Sequence, residues 1–267
     1  MSDLAWTTGI TEINPNEVRL RGYRIDELMG NVSFAQAIFL ALRGELPAPE
    51  VGRLIDAMMV ASIDHGVTPP SALAARTAAS TGAPLNAAVA AGVLSINRLH
   101  GGAIEDCMGI LQQVIDRAQE SGGSLEQAAE QLIDEYRVQK QRMAGLGHRI
   151  HSDDPRTARL FRLAEEAGIS SRGVGAIRAL AAGYARRGKT LPINVDGAIA
   201  ALLLDLQVPR ALANAFFIMA RVPGLVAHVF EEQTGQRPMR RIHPTDHTYD
   251  GPPARTLNRM QMTTDGH

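Results

Sequence analysis

The sequence has little of the material that marks several classes of protein. Its single cysteine, Cys107, excludes an internal disulfide, which fits a reducing compartment. With 27 basic and 28 acidic residues the net charge is −1, so no basic surplus exists to hold a nucleic acid or an anionic membrane. Apolar runs end well before ~18 residues, and the first sixteen residues lack a secretory signal pattern. We therefore expect a cytoplasmic protein whose partners are neither nucleic acid nor membrane.

Aromatic residues are also scarce, at 4%, although 45% of the 267 residues are hydrophobic. The core must therefore consist of Ala, Leu, Ile, Val and Met, which suits closely packed helices. Helix starts are explicit: Ser33 and Ser124 each begin a capping box, and Asp154-Pro155 gives an N-cap followed by proline. Ile104 and Leu111 belong to one apolar helical stripe.

Further helices are predicted at 173–187, 198–206, 210–220 and 225–232. Only Thr7–Ile13 and Glu17–Ile25 suggest strands, as a short hairpin. No alternation of strands and helices indicates a parallel sheet. The sequence therefore predicts an all-α fold.

Polar stretches interrupt the helical pattern at four places, each with a histidine or an aspartate beside glycine. They are Asp64-His65-Gly66, His100-Gly101-Gly102, Gly145-Leu146-Gly147-His148-Arg149 and Asn194-Val195-Asp196-Gly197. Glycine lets a backbone approach a ligand closely, and loops between helices often carry catalytic groups. Each stretch alone also has an ordinary interpretation: a lone loop histidine is usually a surface or capping group, and Asp196 is equally a helix N-cap. Cys107 is predicted to be a core residue.

Other kinds of site have weaker support. Gly-Leu-Gly-His lacks the third glycine and the preceding strand of a dinucleotide fingerprint, and the Gly-x-Ser-x-Gly nucleophile motif is absent. Two groups have a spacing that zinc ligands can adopt: His148 with His151, and His243 with Asp246 and His247. No cysteine pair accompanies them, so no metal site is expected.

In this order, the four polar stretches resemble the citrate synthase superfamily. The resemblance also includes Leu20-Arg21-Gly22-Tyr23-Arg24-Ile25, Gly44-Glu45-Leu46-Pro47 and residues 74–83, and it extends from about Ile10 to Tyr249. It implies a shortened, two-domain helical fold, with a large domain of residues 1–104 and 201–267 and a small domain of residues 105–200. The block that is missing relative to the family falls between Pro47 and His65. A homodimer or higher homo-oligomer is also implied.

The resemblance implies a role for each matched position. His100 would hold the thioester oxygen, His148 would contact the oxo-acid carbonyl or the citryl hydroxyl, and Asp196 would move the proton of the acetyl methyl group. The residues implied to bind the oxo acid and its carboxylates are His65, Arg156, Arg221 and Arg237, the last reaching in from the partner subunit. The CoA adenine would meet the backbone of Met143, Ala144, Gly145, Leu146 and Gly147. No cofactor is implied to be permanently bound, because the CoA thioester is a substrate.

Within the superfamily, the motif residues are most similar to those of compact citryl-CoA lyases and of the corresponding module of ATP-citrate lyase. The Asp-His-Gly stretch, Asn194–Gly197 and Arg241–Pro244 carry this similarity, whereas His100 keeps a synthase-like histidine. The expected reaction is cleavage of citryl-CoA to acetyl-CoA and oxaloacetate, alone or beside a separate citryl-CoA synthetase. Citrate synthase, or a 2-alkylcitrate synthase, is the alternative. A catalytically silent helical subunit is a third reading, which the joint presence of His100, His148 and Asp196 disfavours.

Overall fold

The computed structural model describes residues 6–147, 154–169, 171–240 and 248–253, and these residues are mostly helical. This confirms the all-α prediction. The α-helices of the described ranges are α1 (Ile25–Leu28), α2 (Phe34–Arg43), α3 (Pro49–Ala61), α4 (Pro70–Ser80), α5 (Leu85–Leu94), α6 (Ala103–Ser121), α7 (Leu125–Val138), α8 (Pro155–Glu166), α9 (Arg172–Arg186), α10 (Val195–Asp205) and α11 (Ala213–Gly235).

A small antiparallel sheet precedes the helices. Its strands are β1 (Thr11–Asn14), β2 (Glu17–Leu20) and β3 (Tyr23–Arg24), in the order β1-β2-β3. The predicted hairpin is therefore present, but it is shorter than expected and a third strand joins it. The reason is a second turn after β2, where Arg21 and Gly22 both take positive φ values.

The predicted helix starts are confirmed. The hydroxyl of Ser33 accepts from the backbone N–H of Gln36, whose side chain accepts in return from the N–H of Ser33. Ser124 and Gln127 form the same reciprocal pair at the start of α7. The carboxylate of Asp154 caps α8. Local sequence thus determines these boundaries, since each cap satisfies N–H groups that the helix itself leaves unpaired.

The C-terminal helical region differs from the prediction. Instead of two helices at 210–220 and 225–232, a 3-10 turn (Arg210–Leu212) leads into the single helix α11, with Pro223 inside it. Proline removes one hydrogen bond from a helix. Here Leu225 and Val229 are fully buried on the far side of Pro223, and their packing keeps the helix continuous. By length and composition, Arg210–Gly235 is the one helix in the described ranges that could cross a membrane, with 44% of its most apolar window buried inside the fold.

The core is built around α6, which packs against α7, α9, α10 and α11. Cys107, Leu111 and Val114 have no exposed surface, which confirms the core prediction for the cysteine. Burial raises the pKa of the Cys107 thiol, and the nearby carboxylates add to this, so the thiol remains uncharged. The main apolar cluster is continuous from α2 to α11, and a smaller one joins α4, α5 and α11. The division into 1–104 with 201–267 and 105–200 stays a prediction.

Candidate active site

Asp196 lies in the first turn of α10. Asn194, not Asp196, is the N-cap: its side-chain oxygen accepts from the N–H of Gly197 at 3.0 Å. The interpretation of Asp196 as a simple cap was therefore wrong, because the asparagine two residues earlier already fills that role. The carboxyl of Asp196 is therefore partly buried in the first turn of the helix and is not needed to cap it.

The segment before α10 is joined to the glycine loop of residues 143–147. The N–H of Asn194 donates to the carbonyl of Gly145 at 3.1 Å, and its side-chain amide donates to the carbonyl of Gly147 at 2.9 Å. The N–H of Gly147 in turn donates to the carbonyl of Pro192 at 2.7 Å. These bonds fix the glycine loop beside the start of α10.

Glycine is required at the closest point of this contact. Gly145 has a φ of +86°, and a Cβ there would lie 2.4 Å from the sulfur of Cys107 and 2.9 Å from the Cα of Gly197. A Cβ on Gly197 would lie 2.2 Å from the carbonyl oxygen of Gly145. Backbone packs directly on backbone here, which no other residue type allows.

The charges around Asp196 show which predicted residues the fold gathers. Burial raises the pKa of the Asp196 carboxyl, and the positive charges of Arg156, Arg221 and His65 oppose that rise. The Asp154 carboxylate acts in the same direction as burial. Residues that are far apart in sequence thus act on one carboxyl. Because burial outweighs the cations, this carboxyl holds a proton more readily than an exposed aspartate.

Two of the predicted carboxylate-binding arginines hold the loop that carries His65. Arg156 Nη1 donates to the carbonyl of Ala61 at 3.4 Å, and Arg221 Nε donates to the carbonyl of Ser62 at 3.1 Å. Arg156 also makes a two-point contact with Asp154, with Nε and Nη2 at 3.0 and 2.8 Å from its oxygens. Arg221 is buried, and burial lowers its pKa. Its guanidinium lies 4.8 Å from the Phe217 ring centre, a cation–π contact.

His100 ends a tight turn in which its backbone exchanges two 2.8 Å hydrogen bonds with that of Asn97. Its Nε2 lies 2.8 Å from the hydroxyl oxygen of Ser71 and 3.4 Å from the backbone nitrogen of the same residue. A backbone N–H can only donate, so Nε2 accepts and the proton of the neutral ring sits on Nδ1. Edge-on contact with Phe217 orients the ring further.

The electrostatic environment keeps His100 neutral. Burial lowers its pKa, and the positive charge of Arg221 lowers it further. A neutral imidazole with its proton on Nδ1 is a hydrogen-bond donor suited to an oxygen that gains negative charge.

Sequence reasoning missed Ser71. It is fully buried and lies at the second position of α4, after Pro70. A serine directly after two prolines signals a helix N-terminus, whose unpaired N–H groups can donate to an acceptor. That signal was available, but nothing in the sequence pairs Ser71 with a histidine 29 residues later.

Two predicted site residues are not placed with the others. His148 lies outside the described residues. Arg237 is exposed, on the segment that follows α11. Met239 in that segment donates its N–H to the carbonyl of Ser80, at the C-terminal end of α4. Ser71 is nine residues away along the same helix, which is about 14 Å, so Arg237 is held near the opposite end of α4 from His100.

The predicted CoA loop borders a cavity of about 390 Å³. Met143, Leu146 and Gly147 line it, together with the basic residues Arg142 and Lys189. The remaining loop residues, Ala144 and Gly145, do not line the cavity.

The described part of the chain contains no group of three or more His, Cys, Asp or Glu residues that could hold a metal ion. The two candidate zinc groups, His148 with His151 and His243 with Asp246 and His247, lie outside the described residues.

Comparison with known proteins identifies the family and the fold. Residues 41–244 match the family described as citrate synthase, C-terminal domain. The solved structure of citryl-CoA lyase from Hydrogenobacter thermophilus is 43% identical, with a TM-score of 0.87 over 96% of this chain and 99% of that one. ATP citrate lyase from Methanothrix soehngenii, solved with citrate and coenzyme A, is 22% identical and shares the fold, with a TM-score of 0.80 over 95% of this chain and 43% of that one.

Among curated proteins, the citrate/2-methylcitrate synthase of Bacillus subtilis (strain 168) is 28% identical over 214 residues. The match covers 78% of this chain and 55% of that protein. The match therefore covers about half of the length of the synthase relatives and about one third of the ATP-citrate synthase beta chains.

Proposed function

This chain belongs to the citrate synthase family, and from that premise we propose that it is a citryl-CoA lyase, which cleaves citryl-CoA to acetyl-CoA and oxaloacetate. The observation that carries the proposal is the end-to-end similarity to a citryl-CoA lyase, at 43% identity over 96% of this chain and 99% of that one. The synthase match covers only 55% of its relative. The alignment thus extends over nearly all of the lyase but over only about half of the synthase.

The proposed cleavage uses three groups. His148, which the family resemblance assigns to the citryl hydroxyl, takes the hydroxyl proton as the carbon–carbon bond breaks. The bonding pair passes to the acetyl fragment and forms the enolate of acetyl-CoA, while the other fragment leaves as oxaloacetate. His100 donates a hydrogen bond to the enolate oxygen, and Asp196 returns a proton to the enolate carbon.

The electrostatics of the described residues support these roles. The raised pKa of Asp196 favours the protonated carboxyl, which an acid that delivers a proton to carbon requires. The hydrogen bond between Ser71 N–H and His100 Nε2 leaves Nδ1–H as the donor to the oxygen. Asp196 therefore gives its proton to the substrate carbon, whereas the neutral ring of His100 keeps its proton and donates only a hydrogen bond to the oxyanion.

The remaining predicted residues suit a substrate with several carboxylates. Arg156 and Arg221 bring two guanidinium groups to the carbonyls of Ala61 and Ser62, just before His65, and arginine can bind carboxylates in bidentate fashion. In the cavity beside residues 143–147, Arg142 and Lys189 offer cations for the phosphates of CoA. CoA thus enters as part of the substrate, and we propose no permanently bound cofactor.

We also propose that the protein is a homodimer and that Arg237 serves the partner's site. Large apolar side chains remain exposed on α4, α5 and α11, the helices that form one side of the fold: Leu73, Leu85, Leu94, Val226 and Phe230. An apolar surface of this kind is typical of a protein interface. The distance of Arg237 from its own His100 along α4 supports action in the partner.

Citrate synthase, or a 2-alkylcitrate synthase, is the second candidate. The similarity to the citrate/2-methylcitrate synthase favours it. The two activities share the bond that is made or broken, and they differ in whether the thioester is also hydrolysed. Only the synthase releases free CoA from acetyl-CoA and oxaloacetate.

The deciding experiment incubates the purified protein with citryl-CoA and, separately, with acetyl-CoA plus oxaloacetate, and follows both by mass-resolved chromatography. A lyase converts the first mixture to acetyl-CoA and oxaloacetate and releases little free CoA from the second. Citrate and free CoA accumulating in the second mixture would identify a synthase. Inactivity in both would contradict the proposed function.

Asp196→Asn tests the mechanism. The amide cannot transfer the proton, so we expect a loss of ~10²–10⁴-fold in kcat. Steady-state cleavage of citryl-CoA measures it, and Asp116→Asn, at an exposed carboxylate on α6, is the control that should retain activity. Turnover of Asp196→Asn close to that of the wild type would refute the assigned role.

A further inference from the structure

The loop after α3 runs along one face of α11. The carbonyl of its residue 62 accepts from Nε of Arg221 at 3.1 Å. At residue 63 the carbonyl lies so close to α11 that a Cβ on Gly224 would be 2.3 Å from it. The Oδ1 atom of Asp64 is 3.0 Å from Nε2 of His228. Residues 62–64 of the loop thus contact Arg221, Gly224 and His228 of α11 in turn. These helix positions are three and four residues apart and therefore lie on one face of the helix.

Asp64 links this face to the backbone that carries His65. Its Oδ2 accepts from the N–H of Gly66 at 2.8 Å, and the N–H of His65 also hydrogen-bonds to the carboxylate. The charge of Asp64 also acts on Arg221. The Asp64 carboxylate therefore contacts His228 on α11 through Oδ1, and through Oδ2 it holds the turn of residues 64–66, which contains His65.

We propose that His228 is a positioning residue for oxo-acid binding: it fixes Asp64, which in turn fixes the turn of His65 next to Arg221. The inference rests on the proposed function, because His65 and Arg221 are the groups assigned there to the oxo acid. His228 itself does not touch the substrate. Its loss should therefore weaken oxo-acid binding selectively, without affecting the site for CoA.

The surroundings of His228 determine which nitrogen makes this contact. Its side chain is 11% exposed, and Asp64 from the loop lies 3.0 Å from Nε2. Glu231, on the same helix, is 3.8 Å from Nδ1, and it is also 3.9 Å from Arg76 on α4. The nearer carboxylate places the donating N–H on Nε2. Burial alone would raise the pKa of Asp64, but hydrogen bonds from Gly66 and His228 outweigh it and lower the pKa.

Three variants separate the hydrogen bond from simple loss of structure. His228→Ala removes the donor. His228→Gln keeps an amide N–H at a similar reach and should retain the contact with Asp64. Thr234→Ala is the matched control, because the hydroxyl of Thr234 bonds only to the carbonyl of Phe230 within the same helix.

Two readouts are measured on the full-length protein. Calorimetric titration gives separate dissociation constants for oxaloacetate and for CoA, and hydrogen exchange gives the protection of the amides of residues 62–67. For His228→Ala we expect oxaloacetate binding about tenfold weaker, the usual scale for a hydrogen bond to a charged group, with CoA binding unchanged. The same amides should exchange faster. His228→Gln and Thr234→Ala should match the wild type in both readouts.

The outcomes distinguish this inference from the function on which it rests. Equal weakening of both ligands in His228→Ala, or no weakening of either, would overturn the positioning role. A wild-type protein that binds no oxaloacetate would refute the proposed function instead. Hydrogen exchange at residues 62–67 would then still decide whether His228 holds the turn.

Discussion

Ser71 determines which nitrogen of the His100 ring carries the proton. Its backbone N–H and hydroxyl both face Nε2, so the ring presents Nδ1–H on the other side. The sequence predicted His100 and Asp196 through their motifs. It could not predict the serine, because the pair forms only when α4 and the turn before α6 come together. Motifs in the sequence can thus nominate candidate residues, whereas the partners that hold them are visible only in the fold.

Ser71→Ala should lower kcat for citryl-CoA cleavage by about three- to tenfold, the usual effect of one neutral hydrogen bond, with little change in KM. The backbone N–H remains, so the tautomer is kept but the ring is held less firmly. The matched control is Ser80→Ala, a buried serine of the same helix whose hydroxyl bonds to the carbonyl of Thr77. Equal losses in both variants would indicate a general effect on α4 rather than on His100.

At the scale of elements, the helix starts were predictable because capping is local. The continuity of α11 was not, since Pro223 argues for a break and the burial of Leu225 and Val229 overrides it. The helix consequently extends from beneath His100, through Phe217, to the segment that carries Arg237. A sequence pattern contains the proline but not the tertiary packing that offsets it.

The end of α11 is fixed by Glu232, a fully buried carboxylate. Arg76 Nε lies 2.7 Å from one of its oxygens, and Arg240 Nε lies 2.9 Å from the other. Hydrogen bonds from Arg240 and Arg76 hold the pKa of Glu232 below its usual range, although burial opposes them. A lowered pKa gives stability that is present at neutral pH and is lost as the pH falls through the folded-state value.

Glu232→Gln should therefore lower the free energy of unfolding at pH 7 by about 2–3 kcal/mol, because both arginines lose a charged partner. Below the ordinary glutamate pKa of ~4.3 the difference from the wild type should shrink, because the unfolded chain takes up a proton there that the folded carboxylate resists, and it should vanish once the pH falls below the lowered pKa of folded Glu232. Urea unfolding across this pH range measures both effects. Glu50→Gln removes an exposed carboxylate paired with Arg53 and should change stability by less than ~1 kcal/mol. A constant difference at all pH values would contradict the ionic explanation.

At the scale of the whole molecule, composition, helix patterns and the family resemblance all predicted the helical fold, but the residue pattern does not indicate which surface a dimer would use. The exposed apolar side chains of α5 become visible only once the fold shows which of its faces are covered. Its sequence, Leu85–Leu94, is apolar on all sides, so no periodicity distinguishes an inner from an outer face. The dimer consequently remains a proposal that requires a test in solution.

Mixing two inactive variants tests whether Arg237 acts in the partner. After Asp196→Asn and Arg237→Ala are unfolded and refolded together, each hybrid dimer should contain one site with no defect. Activity should then rise to about one quarter of the wild-type value, given random pairing of subunits. Mixing Asp196→Asn with His100→Ala is the control, because both residues belong to the same subunit's site and no intact site can form. No recovery in the first mixture would mean that Arg237 does not act across a dimer.

The contact between Gly145 and Gly197 has a consequence for engineering. Because not even a methyl group fits between these backbones, the glycine loop of residues 143–147 and the start of the helix that carries Asp196 must move together. Under the proposed function, a designer who wants a different acyl-CoA should therefore leave these positions unchanged and diversify the cavity wall around Leu146 and Lys189. The choice of acyl-CoA can then change while Asp196, the proposed proton donor, keeps its position.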